Sequence, residues 1–145
     1  MARLCEKELC TGCTACASVC PLGCITMQPD AEGFLRPVVE ESRCTGCGLC
    51  GRVCPVLFSP DSTPMPQAFA AKNKDETVRG VSTSGGVFTL LAQYVLDRGG
   101  AVFGAAYDAD FRVVHRLVER PEELHRLRGA KYAQSRLEGV FPQVK

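Results

Sequence analysis

Eight of the ten cysteines fall in two copies of one motif. The first copy runs C-T-G-C-T-A-C-A-S-V-C-P from Cys10 to Pro21, and the second runs C-T-G-C-G-L-C-G-R-V-C-P from Cys44 to Pro55. Thiolates are soft donors for metals, and C-x-x-C-x-x-C places three of them around a tight turn that faces one metal centre. Two matched copies therefore predict two metal centres, not a solenoid, which needs about three or more repeats.

The fourth thiolate of each centre is predicted to come from the other copy. In the bacterial two-cluster pattern C-x-x-C-x-x-C-x-x-x-C-P, the last cysteine of each run binds the other cluster. Residues 9 to 57 resemble the bacterial two-cluster ferredoxins at every ligand position. A pair of structural zinc sites is the alternative, although such sites usually pair separated C-x-x-C knuckles. The predicted ligands of two 4Fe-4S clusters are Cys10, Cys13, Cys16 and Cys54 for cluster 1, and Cys44, Cys47, Cys50 and Cys20 for cluster 2.

Two cysteines and both histidines stand outside this assignment. Cys24 is expected to be a buried free thiol, and Cys5, five residues before the first motif, is expected to be a bystander. His115 lies in a predicted strand and His125 in a charged predicted helix, so both are expected to be structural or solvated. No catalytic residue is assigned.

The start of the chain and its many thiols together indicate the cellular compartment. The chain begins Met1-Ala2-Arg3 with no apolar signal segment, so the thiols are expected to stay reduced in the cytoplasm and to bind metal. No apolar run approaches the roughly 18 residues of a membrane span. Lys and Arg number 17 against 16 Asp and Glu, a balance that calls for no nucleic-acid partner.

The elements around the motifs predict an α+β fold, in which a two-cluster ferredoxin-like module is followed by an incomplete α/β domain. We place the module at residues 1–58, a proline-rich linker at 59–66 and the second domain at 67–145. Apolar runs predict a hairpin at 23–27 and 35–39 and further strands at 68–72, 101–107 and 112–118. Helices are predicted from Val87 to about Arg98 and from Pro121 to about Arg128, with another beginning at Leu137. The first helix is expected to bury the stripe Val87, Leu90, Leu91, Tyr94 and Val95, behind hydroxyl N-caps in Ser82-Thr83-Ser84.

The second half resembles the coenzyme F-420 hydrogenase/dehydrogenase beta-subunit family in its N-terminal part. The resemblance rests on S-T-S-G-G-V-F-T-L-L from Ser82 and R-G-A-K-Y-A-Q-S from Arg128, following a two-cluster module and a proline linker. It implies FAD, with coenzyme F-420 as a candidate substrate and a redox protein or other oxidoreductase subunits as partners. The FAD contacts expected from the resemblance are Ser84, Gly85, Gly86 and Lys131. The alternative is an ordinary N-cap turn at the first three residues and a surface lysine at the fourth.

The function expected from these features is iron–sulfur electron transfer within a flavin-dependent oxidoreductase. Clusters move single electrons and hydride transfer moves two, so a flavin is expected between them. Proteins of this family continue well beyond the point where this sequence stops, so the chain is expected to be an oxidoreductase subunit or fragment that is not catalytically complete alone. A non-enzymatic ferredoxin-type carrier or docking subunit is the alternative.

Overall fold

The computed structural model describes residues 1–58, 65–137 and 139–144. These residues form two compact units, one built from the chain up to residue 58 together with 137 and 139–144, and one spanning Met65–Arg136. The last residues, which the sequence placed in the second domain, therefore pack in the first unit. Most of the predicted linker, residues 59–64, lies outside the described residues.

The first unit is a pair of short helices beside one β-hairpin. Its helices are α1 (Ala15–Val19) and α2 (Leu49–Arg52), and its strands are β1 (Ile25–Pro29) and β2 (Leu35–Val39), with 3-10 turns at Lys7–Leu9, Glu41–Arg43 and Phe141–Gln143. The strands pair antiparallel, with Ile25 opposite Val39 and Pro29 opposite Leu35. The predicted hairpin is confirmed.

The hairpin turn is closed by one carboxylate. Asp30 Oδ1 accepts hydrogen bonds from the backbone N–H groups of Glu32 and Phe34, each at 3.0 Å. Its Oδ2 accepts from Arg36 Nε at 3.1 Å. This Asx-type turn fixes the register of two five-residue strands that are too short to be stable alone.

The second unit packs two helices and a 3-10 helix with a second hairpin. Its elements are α3 (Glu76–Gly80), α4 (Val87–Leu96), β3 (Val102–Tyr107), β4 (Val113–Val118) and a 3-10 helix at Pro121–Leu127. Strands β3 and β4 pair antiparallel from Val102–Val118 to Tyr107–Val113. Ala68–Lys72, predicted as a strand, has no strand pairing, and the helix predicted after Pro121 is a 3-10 helix. The described sheets are both antiparallel, so the fold is mixed α+β.

Helix α4 forms where the sequence predicts it, but the predicted buried face is wrong. Thr89, Ala92 and Leu96 face the core, whereas Leu90, Leu91 and Tyr94 are more than half exposed. The helix is apolar on nearly every side, so periodicity cannot choose the buried face. Small side chains on the inner face allow close packing against the core residues Ala106, Val118, Leu124 and Leu127.

None of the helices in the described ranges has the length and apolar character that a bilayer-spanning helix requires.

Candidate metal centre

The ten cysteines surround two separate cavities in the first unit. Each cavity is lined by three cysteines of one motif copy, by the last cysteine of the other copy, and by one cysteine from outside the motifs. The first cavity is lined by Cys10, Cys13, Cys16, Cys54 and Cys5, and the second by Cys44, Cys47, Cys50, Cys20 and Cys24. The structure thus brings together both sets of four that the sequence grouped.

Two short helices position the cysteines that line the cavity of the opposite motif copy. Helix α1 holds Cys16 and ends at its C-cap Cys20, whereas α2 holds Cys50 and ends just before Cys54. Proline follows both Cys20 and Cys54, and the residue before a proline is disfavoured in helix. Helix α1 therefore stops at Cys20 and α2 stops shortly before Cys54, and each of these two cysteines lines the cavity of the other copy.

Arg36 ties the hairpin to the first motif. Its guanidinium donates to Asp30 and also to the backbone carbonyl of Cys10. The bonds from Arg36 and from two backbone N–H groups hold the pKa of Asp30 below its usual range. The sequence marked Asp30 only as part of the turn between the two strands, and Arg36 was missed because nothing in the linear pattern connects strand β2 with Cys10.

The backbone enters each helix through a left-handed residue at equivalent positions of the repeat. Thr14 has φ 62° and Gly48, which is 34 residues later, has φ 74°. Glycine adopts this conformation without a Cβ clash, whereas a β-branched residue is strained there. Thr14 is 3% exposed, and its Oγ1 has no hydrogen-bond partner among the described residues.

The residues around the cavities fit a 4Fe-4S group. Each cavity offers five thiols and an otherwise mostly apolar lining, with Leu4, Ala15 and Met27 in the first and Leu22, Ile25 and Leu49 in the second. Soft sulfur donors are the ligands that iron–sulfur clusters take. Thr14 lines the first cavity, and its buried hydroxyl has no hydrogen-bond partner among the described residues. A group bound in that cavity would supply the missing partner. Within residues 1–58, 65–137 and 139–144, no three His, Cys, Asp or Glu side chains converge to hold a single metal ion.

The two extra cysteines are close to the crossing cysteines. Cys24 is 3% exposed, and its Sγ lies 3.3 Å from that of Cys20. Chiefly through this hydrogen bond, the pKa of Cys24 rises to about 11 while that of Cys20 falls. Burial, with contributions from the thiols of Cys54 and Cys10, raises the pKa of Cys5 to about 12. Their places in the two cavities were missed in the sequence, which carries no spacing signal for either.

Both histidines are bonded within the second unit. His115 Nδ1 lies 2.7 Å from the Ser135 hydroxyl, and His125 Nδ1 lies 2.7 Å from the carbonyl oxygen of Glu122. These contacts give both rings a structural partner.

A third cavity of about 370 Å³ lies in the second unit at the start of α4. Ser84, Gly85 and Gly86 line it, together with Thr89 and Arg128. The predicted hydroxyl N-cap is wrong, since Gly86, at φ 73°, is the N-cap and no side chain caps the helix. Ser82 Oγ instead donates to the carbonyl oxygen of Val78 at 2.7 Å.

Close backbone contacts hold the loop that lines the third cavity. The N–H of Asn73 donates to the Gly85 carbonyl at 2.7 Å, and Asn73 Nδ2 donates to that of Gly86 at 3.4 Å. A Cβ on Gly85 would lie 2.5 Å from the carbonyl oxygen of Ala71, so this position requires glycine. The loop is therefore closely fitted to the segment before α3.

Arg128 lines the third cavity, whereas Lys131 is not among its lining residues. Arg128 Nε donates to the buried Thr89 hydroxyl at 3.2 Å. The Lys131 ammonium is hydrogen-bonded to the carbonyl oxygens of Arg128 and Gly129, at 2.8 and 3.0 Å, and desolvation lowers its pKa. The assignment of Lys131 to a flavin stays a prediction, and Arg128 was missed because the sequence does not show which residues meet the start of α4.

Comparison with protein families gives two matches in chain order. The 4Fe-4S dicluster domain matches residues 9–57, which contain all eight motif cysteines. The coenzyme F-420 hydrogenase/dehydrogenase, beta subunit N-term, matches residues 68–141, which contain the lining of the third cavity. The comparison with curated proteins gives no match.

Proposed function

Because the chain belongs to the coenzyme F-420 hydrogenase/dehydrogenase beta-subunit family, in its N-terminal part, and carries an iron–sulfur electron-transfer domain, we propose that it relays single electrons between a redox partner and FAD. The partner would be a redox protein or another oxidoreductase subunit, and coenzyme F-420 is the candidate two-electron substrate. The need for reduced thiols favours the cytoplasm. The observation that carries the proposal is the pair of cavities, each lined by cysteines of both motif copies.

The ligands we propose follow the crossed pattern. Cys10, Cys13, Cys16 and Cys54 would bind one 4Fe-4S cluster, and Cys44, Cys47, Cys50 and Cys20 would bind the other. Clusters bound there would supply one-electron transfer. As ligands of the opposite cluster, Cys20 and Cys54 would join the two copies, so cluster binding and folding of this small unit would be coupled.

Each cavity holds one thiol more than a cubane needs, and we propose that Cys5 and Cys24 are the spare ones. Cys20 and Cys54 occupy equivalent positions of the two copies, 34 residues apart, whereas Cys5 and Cys24 have no cysteine 34 residues away. A repeat that binds two like clusters should use equivalent ligands. The hydrogen bond from Cys24 favours the thiolate of Cys20, which is the form that binds metal.

Single alanine variants test this assignment after anaerobic reconstitution, with iron and sulfide measured per chain. Cys5→Ala and Cys24→Ala should keep about eight iron atoms, the content of two cubanes. Cys20→Ala and Cys54→Ala should each lose iron from one cluster. Zinc without sulfide in the purified wild-type protein would refute the iron–sulfur proposal, and iron loss in Cys24→Ala but not in Cys20→Ala would refute the ligand choice.

The third cavity is our candidate for part of the flavin site. Its volume lies within the usual range of about 300–1,000 Å³ for ligand pockets. The N-terminus of α4 and the guanidinium of Arg128 both favour an anionic group such as a flavin diphosphate. The Thr89 hydroxyl orients Arg128 through the 3.2 Å bond from Nε, and the other guanidinium nitrogens carry the remaining donors.

Titration with FAD, followed by flavin fluorescence, tests this site. We expect Arg128→Gln to weaken FAD binding by about tenfold, the loss of one charge-assisted hydrogen bond. Arg126→Gln is the matched control, because Arg126 pairs with Glu123 and does not line the cavity. If well-folded wild-type protein binds no FAD, the carrier or docking subunit becomes the better description.

A further inference from the structure

Thr14 is held in a conformation that its own side chain disfavours. Its φ of 62° is left-handed, and threonine is β-branched, which makes this region strained for it. The equivalent residue of the second copy, Gly48, adopts φ 74° without that strain. Glycine would serve the backbone at position 14 without strain, so the strain at Thr14 points to a role for its side chain.

Helix capping does not explain this side chain. Thr14 is the N-cap of α1, the position where a threonine hydroxyl often accepts a bond from the helix backbone. No such side-chain bond forms here. Its Oγ1 is buried without a partner among the described residues, which is costly for a hydroxyl. An acceptor inside the first cavity, which Thr14 lines, would remove that cost.

We propose that the Thr14 hydroxyl donates a hydrogen bond to a sulfur of the cluster in the first cavity, and so holds its reduction potential above that of the other cluster. The inference rests on the proposed function, since it requires a cluster in that cavity. Reduction adds negative charge to the cluster, and a donor to sulfur stabilises that charge. Gly48 has no side chain to offer the second cluster the same bond. A difference in potential between the two clusters would decide which of them is reduced first.

Thr14→Gly and Thr14→Ser test the proposal in anaerobically reconstituted protein. Potentials are measured by redox titration with electron paramagnetic resonance, and each cluster is identified by the paramagnetic NMR signals of its cysteine ligands. In Thr14→Gly we expect the first cluster to fall in potential while the second is unchanged. Thr14→Ser keeps the hydroxyl and should keep the wild-type potential.

Gly48→Ser is the reciprocal variant. A Cβ built on Gly48 has no atom within 4 Å, and serine there would carry the same kind of left-handed backbone strain that Thr14 carries at φ 62°. The second cluster should then rise in potential while the first is unchanged. Exchangeable-proton hyperfine couplings supply an independent readout, since Thr14→Gly should remove one coupling at the first cluster and Thr14→Ser should retain it.

Two results would overturn the inference: unchanged potentials and unchanged proton couplings in Thr14→Gly, or equal falls in potential in Thr14→Gly and Thr14→Ser. Iron and sulfide content separates this failure from failure of the proposed function. A wild-type protein without two 4Fe-4S clusters fails at the proposed function, whereas full clusters that are insensitive to Thr14 overturn only the inference about this residue.

Discussion

Replacing Gly85 with alanine should strain the second unit at the third cavity. The new Cβ would lie 2.5 Å from the carbonyl oxygen of Ala71, and this atom belongs to the backbone and cannot rotate away. The loop must shift, which also strains the 2.7 Å bond from the Asn73 N–H to the Gly85 carbonyl. Overpacking costs about 1–3 kcal/mol and a lost hydrogen bond about 1 kcal/mol. We therefore expect a loss of about 2–4 kcal/mol in the free energy of unfolding of this unit.

Tyrosine fluorescence during urea unfolding measures that loss. The chain has no tryptophan, and its three tyrosines, Tyr94, Tyr107 and Tyr132, all lie in the second unit. The signal therefore reports on the unit that carries the substitution and not on the cysteine-rich unit. FAD affinity, measured in parallel, should fall because Gly85 lines the third cavity.

Gly80→Ala is the matched control. A Cβ on Gly80 meets no atom within 4 Å, and the residue is the last of helix α3. Alanine is favoured over glycine in a helix by up to about 1 kcal/mol, so this variant should be as stable as the wild type or slightly more stable. If Gly85→Ala and Gly80→Ala unfold at the same urea concentration, the argument from close backbone approach is refuted.

Three further outcomes are expected. Leu124 is 1% exposed in the core of the second unit, and Leu124→Ala should lower the free energy of unfolding by about 2–5 kcal/mol in the same tyrosine assay. Leu90 is 54% exposed, so Leu90→Ala should lower it far less. Equal losses would contradict the exposed position of Leu90 on α4. When a chelator removes the iron, circular dichroism should show that the first unit unfolds, because metal binding supplies much of the folding free energy of so small a core. The tyrosine signal of the second unit should stay unchanged. Asp30→Asn should speed iron loss to a chelator at neutral pH. The pKa of Asp30 is lowered on folding, so its contribution to stability is complete above the ordinary pKa of about 4 and is lost as the pH falls through the folded pKa. The rates of iron loss from the wild type and from Asp30→Asn should therefore converge in acid. A difference between the two rates that widens in acid would count against this role.

Local signals in the sequence were sufficient for the elements that depend on near neighbours. The hairpin with β2 at Leu35–Val39, the helix starting at Val87 and the second hairpin all form as predicted, because turn residues and apolar periodicity act over a few residues. The same signals failed for Ala68–Lys72, since strand pairing needs a partner that the local sequence does not specify. They also failed for the inner face of α4, where apolar residues occur all around the helix.

The sequence by itself predicted the metal chemistry, because thiolate donors at a fixed spacing limit which cofactor can bind. It also determined the family, through motifs in both halves. Only the tertiary structure decided that Arg36 reaches the Cys10 carbonyl and that Arg128 meets the start of α4. These are contacts between residues far apart in the chain, and no linear spacing encodes them. Thr14 shows this difference most clearly. The repeat in the sequence aligns Thr14 with Gly48, but only the folded chain shows that the Thr14 hydroxyl is buried without a hydrogen-bond partner among the described residues.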